Sequence, residues 1–192
     1  MHDLVEIFES LQGEGRNVGR PCAFVRFAGC NLACPWCDTD VTRRFSATDA
    51  EILSELKGFR ARSVILTGGE PTLQAGMPEL VAALREAGFW IGVETNGTTD
   101  AAWLAFVDHV ACSPKRGAAL ALTAADEVRV VAEDERTADF CRAVREKVAA
   151  TDYYVSPCDR DGEIDLATAK RVLEQLEGWS LSVQLHKVLG FR

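Results

Sequence analysis

The chain lacks the features that would place it in a membrane or outside the cell. Across its 192 residues, no apolar run reaches the roughly 18–20 residues that a membrane-spanning helix needs. The N-terminus carries no secretory pattern. We see no linker, low-complexity tract or strong internal repeat, so we expect one domain over residues 1–192. These absences predict a cytoplasmic protein without a membrane partner.

Basic residues are in deficit. The chain has 21 lysines and arginines against 29 aspartates and glutamates, which gives a formal net charge of -8. A protein that binds duplex nucleic acid normally carries a basic surface that replaces phosphate counterions. The balance here therefore disfavours a nucleic-acid partner and favours a small-molecule substrate. The hydrophobic fraction of 47% excludes a disordered chain.

Cysteine is plentiful, and its distribution is informative. Seven cysteines, unevenly spaced in a chain without an export signal, indicate reduced thiols and metal ligation rather than a disulfide framework. Cys30, Cys34 and Cys37 form a C-x3-C-x2-C pattern. A structural zinc site needs four ligands, whereas an iron–sulfur cube takes one thiolate per iron, so three thiolates leave one iron open to a small molecule. A cysteine loop buried for packing is the simpler alternative.

Short apolar segments alternate with amphipathic helical patterns, which is typical of parallel βα units. The first predicted strand covers residues 22–27, and the last covers residues 180–188. Six or seven such units are fewer than the eight of a closed barrel. We therefore predict an α/β fold, a partial (β/α) barrel of about six parallel strands with a compact, trimmed helical layer.

Unusual residues follow the ends of the predicted strands, where parallel βα folds bind their ligands. Ordinary turn chemistry explains any one of these segments, but five of them indicate a site. In the segment of residues 68–71, Gly68 and Gly69 lack Cβ atoms and would let backbone carbonyls approach a ligand. The Glu70 carboxylate in the same segment could hold an ammonium group. The five segments are the cysteine loop and residues 68–71, 94–97, 113–115 and 156–159.

The cysteine loop, with Trp36 before its last cysteine, and the Gly-Gly-Glu-Pro segment resemble those of radical S-adenosylmethionine (SAM) enzymes. Further segments narrow the resemblance to the 7-carboxy-7-deazaguanine synthases, which act in the biosynthesis of queuosine and other 7-deazapurines. Between them these segments extend the resemblance from about residue 4 to residue 188. They are residues 10–15 (SLQGEG), Arg26, and residues 37–39, 94–98, 113–115 and 184–187.

The resemblance implies a homodimeric lyase that converts 6-carboxy-5,6,7,8-tetrahydropterin into 7-carboxy-7-deazaguanine with loss of ammonia. Cys30, Cys34 and Cys37 would hold a [4Fe-4S] cluster whose fourth iron binds SAM. A flavodoxin- or ferredoxin-like donor would reduce the cluster, which cleaves SAM to a 5′-deoxyadenosyl radical that removes hydrogen from C6 of the pterin before ring contraction. The resemblance also implies Mg²⁺ against the substrate carboxylate, with Thr39 as a ligand; a turn or cap hydroxyl is the structural alternative for Thr39.

Site residues follow from the same resemblance. Trp36 would stack on adenine, and Arg26 would pair bidentately with the substrate carboxylate, unless it forms an ordinary surface ion pair. His186 is either a substrate contact or a core histidine. The implied SAM contacts are Trp36, Cys37, Asp38, Gly68, Gly69, Glu70, Gly97, Ser113, Pro114, Lys115, Ser156, Pro157, Cys158 and Asp159. The implied substrate contacts are Leu11, Gln12, Gly13, Glu14, Arg26, Thr95, His186 and the carboxylate of Arg192.

The chain departs from the family at two positions. Ser156 stands where the family commonly has glutamine, and Cys158 where it has methionine. A serine could reach the same ligand through a water molecule, while Cys158, like Cys22, Cys112 and Cys141, is expected to pack rather than ligate. Two other interpretations remain: a glycyl-radical-enzyme activase, which shares the cysteine loop, and a non-catalytic zinc-binding interaction module.

Overall fold

The computed structural model describes residues 1–160 and 162–191. In chain order the strands are β1 (His2–Leu11), β2 (Pro21–Phe27), β3 (Phe45–Ala47), β4 (Ser63–Gly68), β5 (Trp90–Thr95), β6 (His109–Cys112), β7 (Glu127–Ala132), β8 (Asp152–Pro157), β9 (Asp159–Arg160), β10 (Glu163–Ile164) and β11 (Ser180–Leu181). The α-helices are α1 (Asp49–Gly58), α2 (Met77–Glu86), α3 (Thr137–Lys147), α4 (Leu166–Leu173) and α5 (Leu185–Leu189).

Within this described part, nine strands form one sheet in the order β11-β8-β7-β6-β5-β4-β2-β1-β3. From β2 to β8 the six neighbouring strands are all parallel, and the two-residue β11 adds to β8 in the same sense. These strands are apolar and mostly buried, as expected for a parallel sheet that is covered on both faces. The predicted α/β fold with about six parallel strands is confirmed.

The sheet continues at one end with antiparallel strands that the sequence analysis did not predict. The ten-residue β1 pairs antiparallel with both β2 and β3. The segment after β1 then reaches the opposite end of the sheet, because Gly15 N donates to Ser182 Oγ at 2.9 Å and Arg16 N donates to Glu127 Oε2 at 2.8 Å. Hydrogen bonds of a loop, rather than strand pairing, thus bridge the two ends of the curved sheet.

The helical layer is short, as predicted. Helix α1 begins at the capping box formed by Thr48 and Glu51, and α2 buries Met77, Leu80 and Leu84 against the sheet. A single 3₁₀ turn (Ala102–Phe106) connects β5 to β6, and residues 113–126 connect β6 to β7 without a helix. No helix in the described residues is long and apolar enough to cross a bilayer.

The C-terminal segment corrects one prediction. The apolar–polar alternation of residues 180–188 predicted a strand, but only Ser180 and Leu181 pair with β8. The chain then leaves the sheet and forms the short helix α5, which ends at Gly190 in the left-handed conformation with φ +69°. His186 and Lys187 therefore lie on a helix that crosses the cavity rim, not on a strand.

Candidate active site

A cavity of about 890 Å³ opens where the inner face of the sheet meets the loops at its carboxyl end. Most residues predicted for the site line it. They are Leu11, Gln12, Gly13, Glu14, Arg26, Cys30, Cys34, Trp36, Cys37, Asp38, Thr39, Gly68, Gly69, Thr95, Ser113, Lys115, Ser156, Pro157, Asp159 and His186.

Four predicted residues do not line the cavity: Glu70, Gly97, Pro114 and Cys158. Gly97 is a turn residue with φ +75°, and a Cβ there would lie 2.7 Å from Cys112 Sγ. Cys158 is fully buried. Arg192 lies outside the described residues.

The cysteine loop follows β2 and is fastened to the next strand ends. Glu70 N donates to Gly29 O at 3.0 Å. Asn31 accepts from Asn96 Nδ2 at 3.0 Å and donates to Thr98 Oγ1 at 2.9 Å. These bonds hold the loop over the carboxyl ends of β4 and β5, so its cysteines face the cavity from one side.

The three thiols fit an iron–sulfur cube better than a single metal ion. No group of three histidine, cysteine, aspartate or glutamate side chains among the described residues could hold one ion. A cube does not need such convergence, because each thiolate binds its own iron. Burial raises the pKa of the Cys34 thiol; the nearby Lys115 opposes this rise, and the thiols of Cys37 and Cys30 add to it. Three neighbouring thiols on one cavity rim therefore match the donor set of a three-cysteine cluster.

The remaining cysteines behave as packing residues. Burial raises the pKa of Cys22 to about 11 and those of Cys112 and Cys141 to about 12, so these thiols stay protonated at neutral pH. Burial also raises the pKa of Cys158. All four sulfurs are buried, and none of them lines the cavity, in contrast to the three rim thiols.

The double glycine is required by the protein's own backbone. A Cβ on Gly69 would lie 1.8 Å from Gly29 O, and one on Gly68, where φ is +131°, would lie 2.2 Å from Phe27 O. The sequence predicted that these glycines allow a ligand to approach the backbone closely. In the structure, it is the end of β2 and the start of the cysteine loop that approach them closely. The two glycines still line the cavity.

Glu70 has a structural role that differs from the predicted contact with SAM. Its side chain is fully buried, and Oε1 accepts from Thr72 N (3.0 Å), Thr72 Oγ1 (2.7 Å) and Thr95 Oγ1 (2.7 Å). Its other oxygen accepts from Asn96 N at 2.6 Å. The carboxylate ties β4 to β5 behind the cavity wall, and it also engages the Thr95 hydroxyl that was predicted to contact the substrate.

We expect Glu70→Gln to lower the free energy of unfolding by about 2–4 kcal/mol, because a buried charged acceptor is replaced by a neutral amide with fewer acceptor sites. The amide group of glutamine would also face N–H or O–H donors that need an acceptor. Denaturant-induced unfolding measures the loss, with Glu79→Gln on the exposed face of α2 as the matched control. Equal stability of the two variants would contradict this role.

Lys115 and Trp36 form a second wall beside the cysteines. Lys115 Nζ lies 5.3 Å from the Trp36 ring centroid and donates to Ser113 O (2.8 Å) and Ser113 Oγ (2.6 Å). Burial lowers the pKa of Lys115, and the nearby Cys34 opposes that shift. A cation on an aromatic face suits an anionic ligand group next to the cysteine loop.

Arg26 projects from β2 into the opposite side of the cavity. Its Nε donates to Glu6 Oε1 at 2.8 Å, and its guanidinium lies 5.8 Å from the Phe8 ring centroid. The side chain is about one-fifth exposed, so this ion pair belongs to the cavity wall rather than the outer surface. The terminal nitrogens of a guanidinium carry further donors that can bind a carboxylate.

The cavity floor contains Arg129, which the sequence analysis missed, and Glu94, which belongs to the predicted segment 94–97 but was given no role of its own. Arg129 pairs with Glu14 through Nη1 at 3.1 Å and with Glu94 through Nη2. Gln12 Nε2 donates to Glu94 Oε1 at 2.8 Å. A charged residue within the buried, apolar strand β7 was the signal for Arg129, because such a charge is buried only when it is paired.

Ser156, one of the two positions at which the sequence analysis expected a departure from the family, also belongs to this floor. Its hydroxyl donates to Glu14 Oε1 at 3.2 Å, so it orients a predicted substrate residue. The side chain is almost completely buried.

The C-terminal helix α5 closes the cavity rim. Leu185 N donates to Gly13 O at 2.9 Å, and a Cβ on Gly13 would lie 1.8 Å from His186 Nδ1. Lys187 Nζ donates to Asp38 Oδ2 at 2.5 Å and to Asp159 Oδ2. The Lys187 hydrogen bond lowers the pKa of Asp159, while burial lowers the pKa of His186. The ion pairs thus join α5 to the cysteine loop and to β9.

Three thiols on a strand-end loop, above a cavity on a mostly parallel sheet, are the arrangement expected of a radical SAM enzyme. Residues 24–149 match the Radical SAM superfamily, to which the chain therefore belongs. Curated relatives narrow the class. The 7-carboxy-7-deazaguanine synthase of Neisseria meningitidis is 43% identical over 199 residues, covering 97% of this chain and 92% of the relative. That of Bacteroides thetaiotaomicron is 39% identical over 192 residues, covering all of both chains.

The chain belongs to the 7-carboxy-7-deazaguanine synthase family and is a radical SAM enzyme of the 7-deazapurine (queuosine) pathway. Its fold resembles the crystal structure of QueE from Escherichia coli, with a TM-score of 0.79 and 24% identity. That match covers 96% of this chain and 94% of the other. Membership of the superfamily implies a [4Fe-4S] cluster and SAM, and the three rim thiols fit that requirement.

Proposed function

We propose that the chain converts 6-carboxy-5,6,7,8-tetrahydropterin into 7-carboxy-7-deazaguanine with loss of ammonia. The observation that carries this proposal is that one cavity contains both the cysteine loop and a set of polar groups suited to the two ends of a carboxypterin. Arg26 supplies a cation for the carboxylate. Glu14 and Gln12 supply an acceptor carboxylate and an amide for the polar ring edge.

The cofactors would lie between the cysteine loop and the ends of β4 and β6. Cys30, Cys34 and Cys37 would hold the [4Fe-4S] cluster, and SAM would contact the backbone of Gly68 and Gly69 together with Trp36 and Ser113–Lys115. When bound, the reduced cluster and SAM would supply the 5′-deoxyadenosyl radical chemistry for hydrogen abstraction at C6 of the pterin.

The protein's own residues bind, orient and shield the substrate. Arg26 would take the carboxylate through its terminal nitrogens, while its Nε stays on Glu6. Gln12 is itself fixed, because its Oε1 accepts from Gly13 N at 2.8 Å. Helix α5, held by Lys187, covers the rim and reduces the access of water to the reacting ring.

Mg²⁺ is part of the proposal, with Thr39 as its protein ligand against the substrate carboxylate. The Thr39 hydroxyl lies in the cavity and donates to Asp38 Oδ1 at 3.3 Å. Hydroxyl and carboxylate oxygens together with waters are the donors that this hard cation prefers. We further propose one catalytic domain over the whole chain, a homodimer, a cytoplasmic location and a flavodoxin- or ferredoxin-like electron donor.

Anaerobic product analysis tests the function. The reconstituted protein is incubated with SAM, a reductant and the carboxytetrahydropterin, with and without Mg²⁺, and the products are separated by chromatography and mass spectrometry. We expect 7-carboxy-7-deazaguanine and ammonia, formed faster with Mg²⁺. Cleavage of SAM without conversion of the pterin would overturn the proposal in favour of another radical SAM reaction, such as activation of a protein substrate. A colourless protein that contains zinc would overturn the cluster assignment.

A further inference from the structure

Arg129 is the most heavily paired cation in the cavity wall. It is 4% exposed on β7, and three carboxylates from three separate segments surround it. Its Nη1 lies 3.1 Å from Glu14 Oε2, its Nε lies 3.1 Å from Glu127 Oε1, and its Nη2 contacts Glu94 Oε2. One buried guanidinium therefore organises residues from the loop after β1, from β5 and from β7.

The three carboxylates are not equivalent. Glu127 is 2% exposed and lies behind Arg129, where it also accepts from Arg16 N at 2.8 Å and has His109 Nε2 at 3.5 Å. Glu14 and Glu94 are about one-fifth exposed and line the cavity. Glu127 thus offsets the charge of Arg129 from behind, and two negatively charged acceptors remain on the cavity side.

Each cavity-facing carboxylate is fixed through both of its oxygens. Arg129 holds one oxygen of each, while Gln12 holds the second oxygen of Glu94 and Ser156 that of Glu14. A carboxylate oxygen has about two lone pairs, so each fixed group can accept a further hydrogen bond from a ligand. Two oriented carboxylates favour a ligand edge that carries adjacent N–H donors.

Arg26 lies at the opposite end of the cavity from Glu14 and Glu94. A ligand bound to Arg26 at one end would therefore present its N–H donors to these carboxylates at the other end. Arg26 lies on β2, and Glu94 lies on β5, two places along the strand order β2-β4-β5. At about 4.8 Å per strand, these side chains start about 10 Å apart across the sheet. A carboxypterin bound to Arg26 by its carboxylate would turn its aminopyrimidinone edge, with the 2-amino group and N3–H, towards the floor.

We infer that Arg129 is a positioning residue that holds Glu14 and Glu94 as paired acceptors for the 2-amino edge of the pterin, and that it thereby sets selectivity for a 2-amino over a 2-oxo ring. This inference rests on the proposed function and extends it to Arg129, which does not itself need to touch the ligand. A guanidinium fork is suited to the task because it presents several donors in one rigid plane.

Equilibrium binding of two oxidised ligand probes tests the inference. 6-Carboxypterin has the 2-amino group, and 6-carboxylumazine has an oxygen in its place. Both are titrated into the anaerobic, cluster-loaded protein in the presence of SAM. We expect the wild type to prefer the pterin by about tenfold or more, because the oxo group leaves paired acceptors without a donor. Arg129→Gln should reduce this preference to below about threefold, with the affinities for 6-carboxylumazine and SAM unchanged, and Arg129→Lys should restore part of it.

The control is Arg136→Gln, which removes a highly exposed arginine outside the cavity and should leave the preference unchanged. An equal loss of affinity for both probes and SAM in Arg129→Gln would overturn the inference, because it would indicate a merely structural role. If that variant does not fold, the isosteric Glu94→Gln is measured instead, and an unchanged preference there would overturn it.

The affinities of the wild type for the two probes, together with the product analysis, distinguish a failure of this inference from a failure of the proposed function. Equal affinity for the two probes would overturn the selectivity but leave pterin chemistry intact. Binding of neither probe would also overturn the selectivity, whereas the proposed function is overturned only if the carboxytetrahydropterin gives no deazaguanine product.

Discussion

Cys34→Ala should give a folded protein that binds no [4Fe-4S] cluster and cleaves no SAM. Cys34 is the middle thiol of the rim loop, and it lines the cavity together with Cys30, Cys37 and Lys115. With only two thiolates left, two irons of a cube would lack a protein ligand. Iron and sulfide content, visible absorption and 5′-deoxyadenosine formation measure the loss, which should be complete.

The matched control is Cys141→Ala. That thiol is fully buried on α3, and burial raises its pKa to about 12. It packs in the core and does not line the cavity. The control should retain its full iron content with a modest loss of stability, of about 1 kcal/mol. Normal iron content or turnover in Cys34→Ala would refute the assignment of the cysteine loop.

Arg26→Ala should weaken binding of the carboxytetrahydropterin by about 10- to 100-fold, which corresponds to roughly 1.5–3 kcal/mol for charge-assisted hydrogen bonds. The variant removes the cation on the β2 side of the cavity, and the Glu6 carboxylate beside it is then no longer offset by that guanidinium. Both changes disfavour an anionic ligand group. SAM affinity should stay nearly constant, because the proposed SAM contacts lie around Trp36 and Lys115. Steady-state kinetics and equilibrium titrations with each ligand make the comparison.

Arg44→Ala provides the control for charge alone. Arg44 also lines the cavity, but its side chain is 59% exposed and it pairs with Asp40 in the loop before β3. Its removal should change substrate affinity only slightly, because solvent screens an exposed charge. A matching loss of SAM affinity in Arg26→Ala would show that this side chain serves the other ligand.

The parallel part of the fold could be predicted from the sequence because its strands are short apolar runs and its helices have clear start and stop signals. The capping box at Thr48 starts α1, and Gly88, with φ +79°, follows the end of α2 as a stop signal. Such signals depend on neighbouring residues only. They survive because tertiary packing of the apolar helix faces reinforces them.

The two ends of the chain show where such local patterns are insufficient. Strand β1 is partly buried in an irregular pattern, with a shift in register between Leu4 and Glu6, so its alternation is weak. Residues 180–188 alternate well but find only two residues of pairing beside β8. Whether a segment forms a strand depends on available backbone partners, and these are distant in sequence.

The sequence predicted where the site lies, but it did not predict which side chains face the cavity and which ones hold the structure together. The motifs identified the loops around the cavity, yet Glu70 bonds to Thr72, Thr95 and Asn96 instead of facing it. Arg129 was missed and Glu94 was given no role, because their ion pairs and hydrogen bonds form only when the loop after β1, β5 and β7 come together. Spacing reveals which loops converge, whereas hydrogen-bond partners decide which side chains remain for a ligand.

Cys37 is the most exposed of the three rim thiols, at the outer edge of the cysteine loop. An electron carrier can approach there closely, which shortens the distance over which an electron must travel. The same opening admits dioxygen, which attacks reduced iron and sulfide. We therefore expect purification in air to bleach a bound cluster, and strict exclusion of air to be a condition for every assay of the cluster-loaded protein.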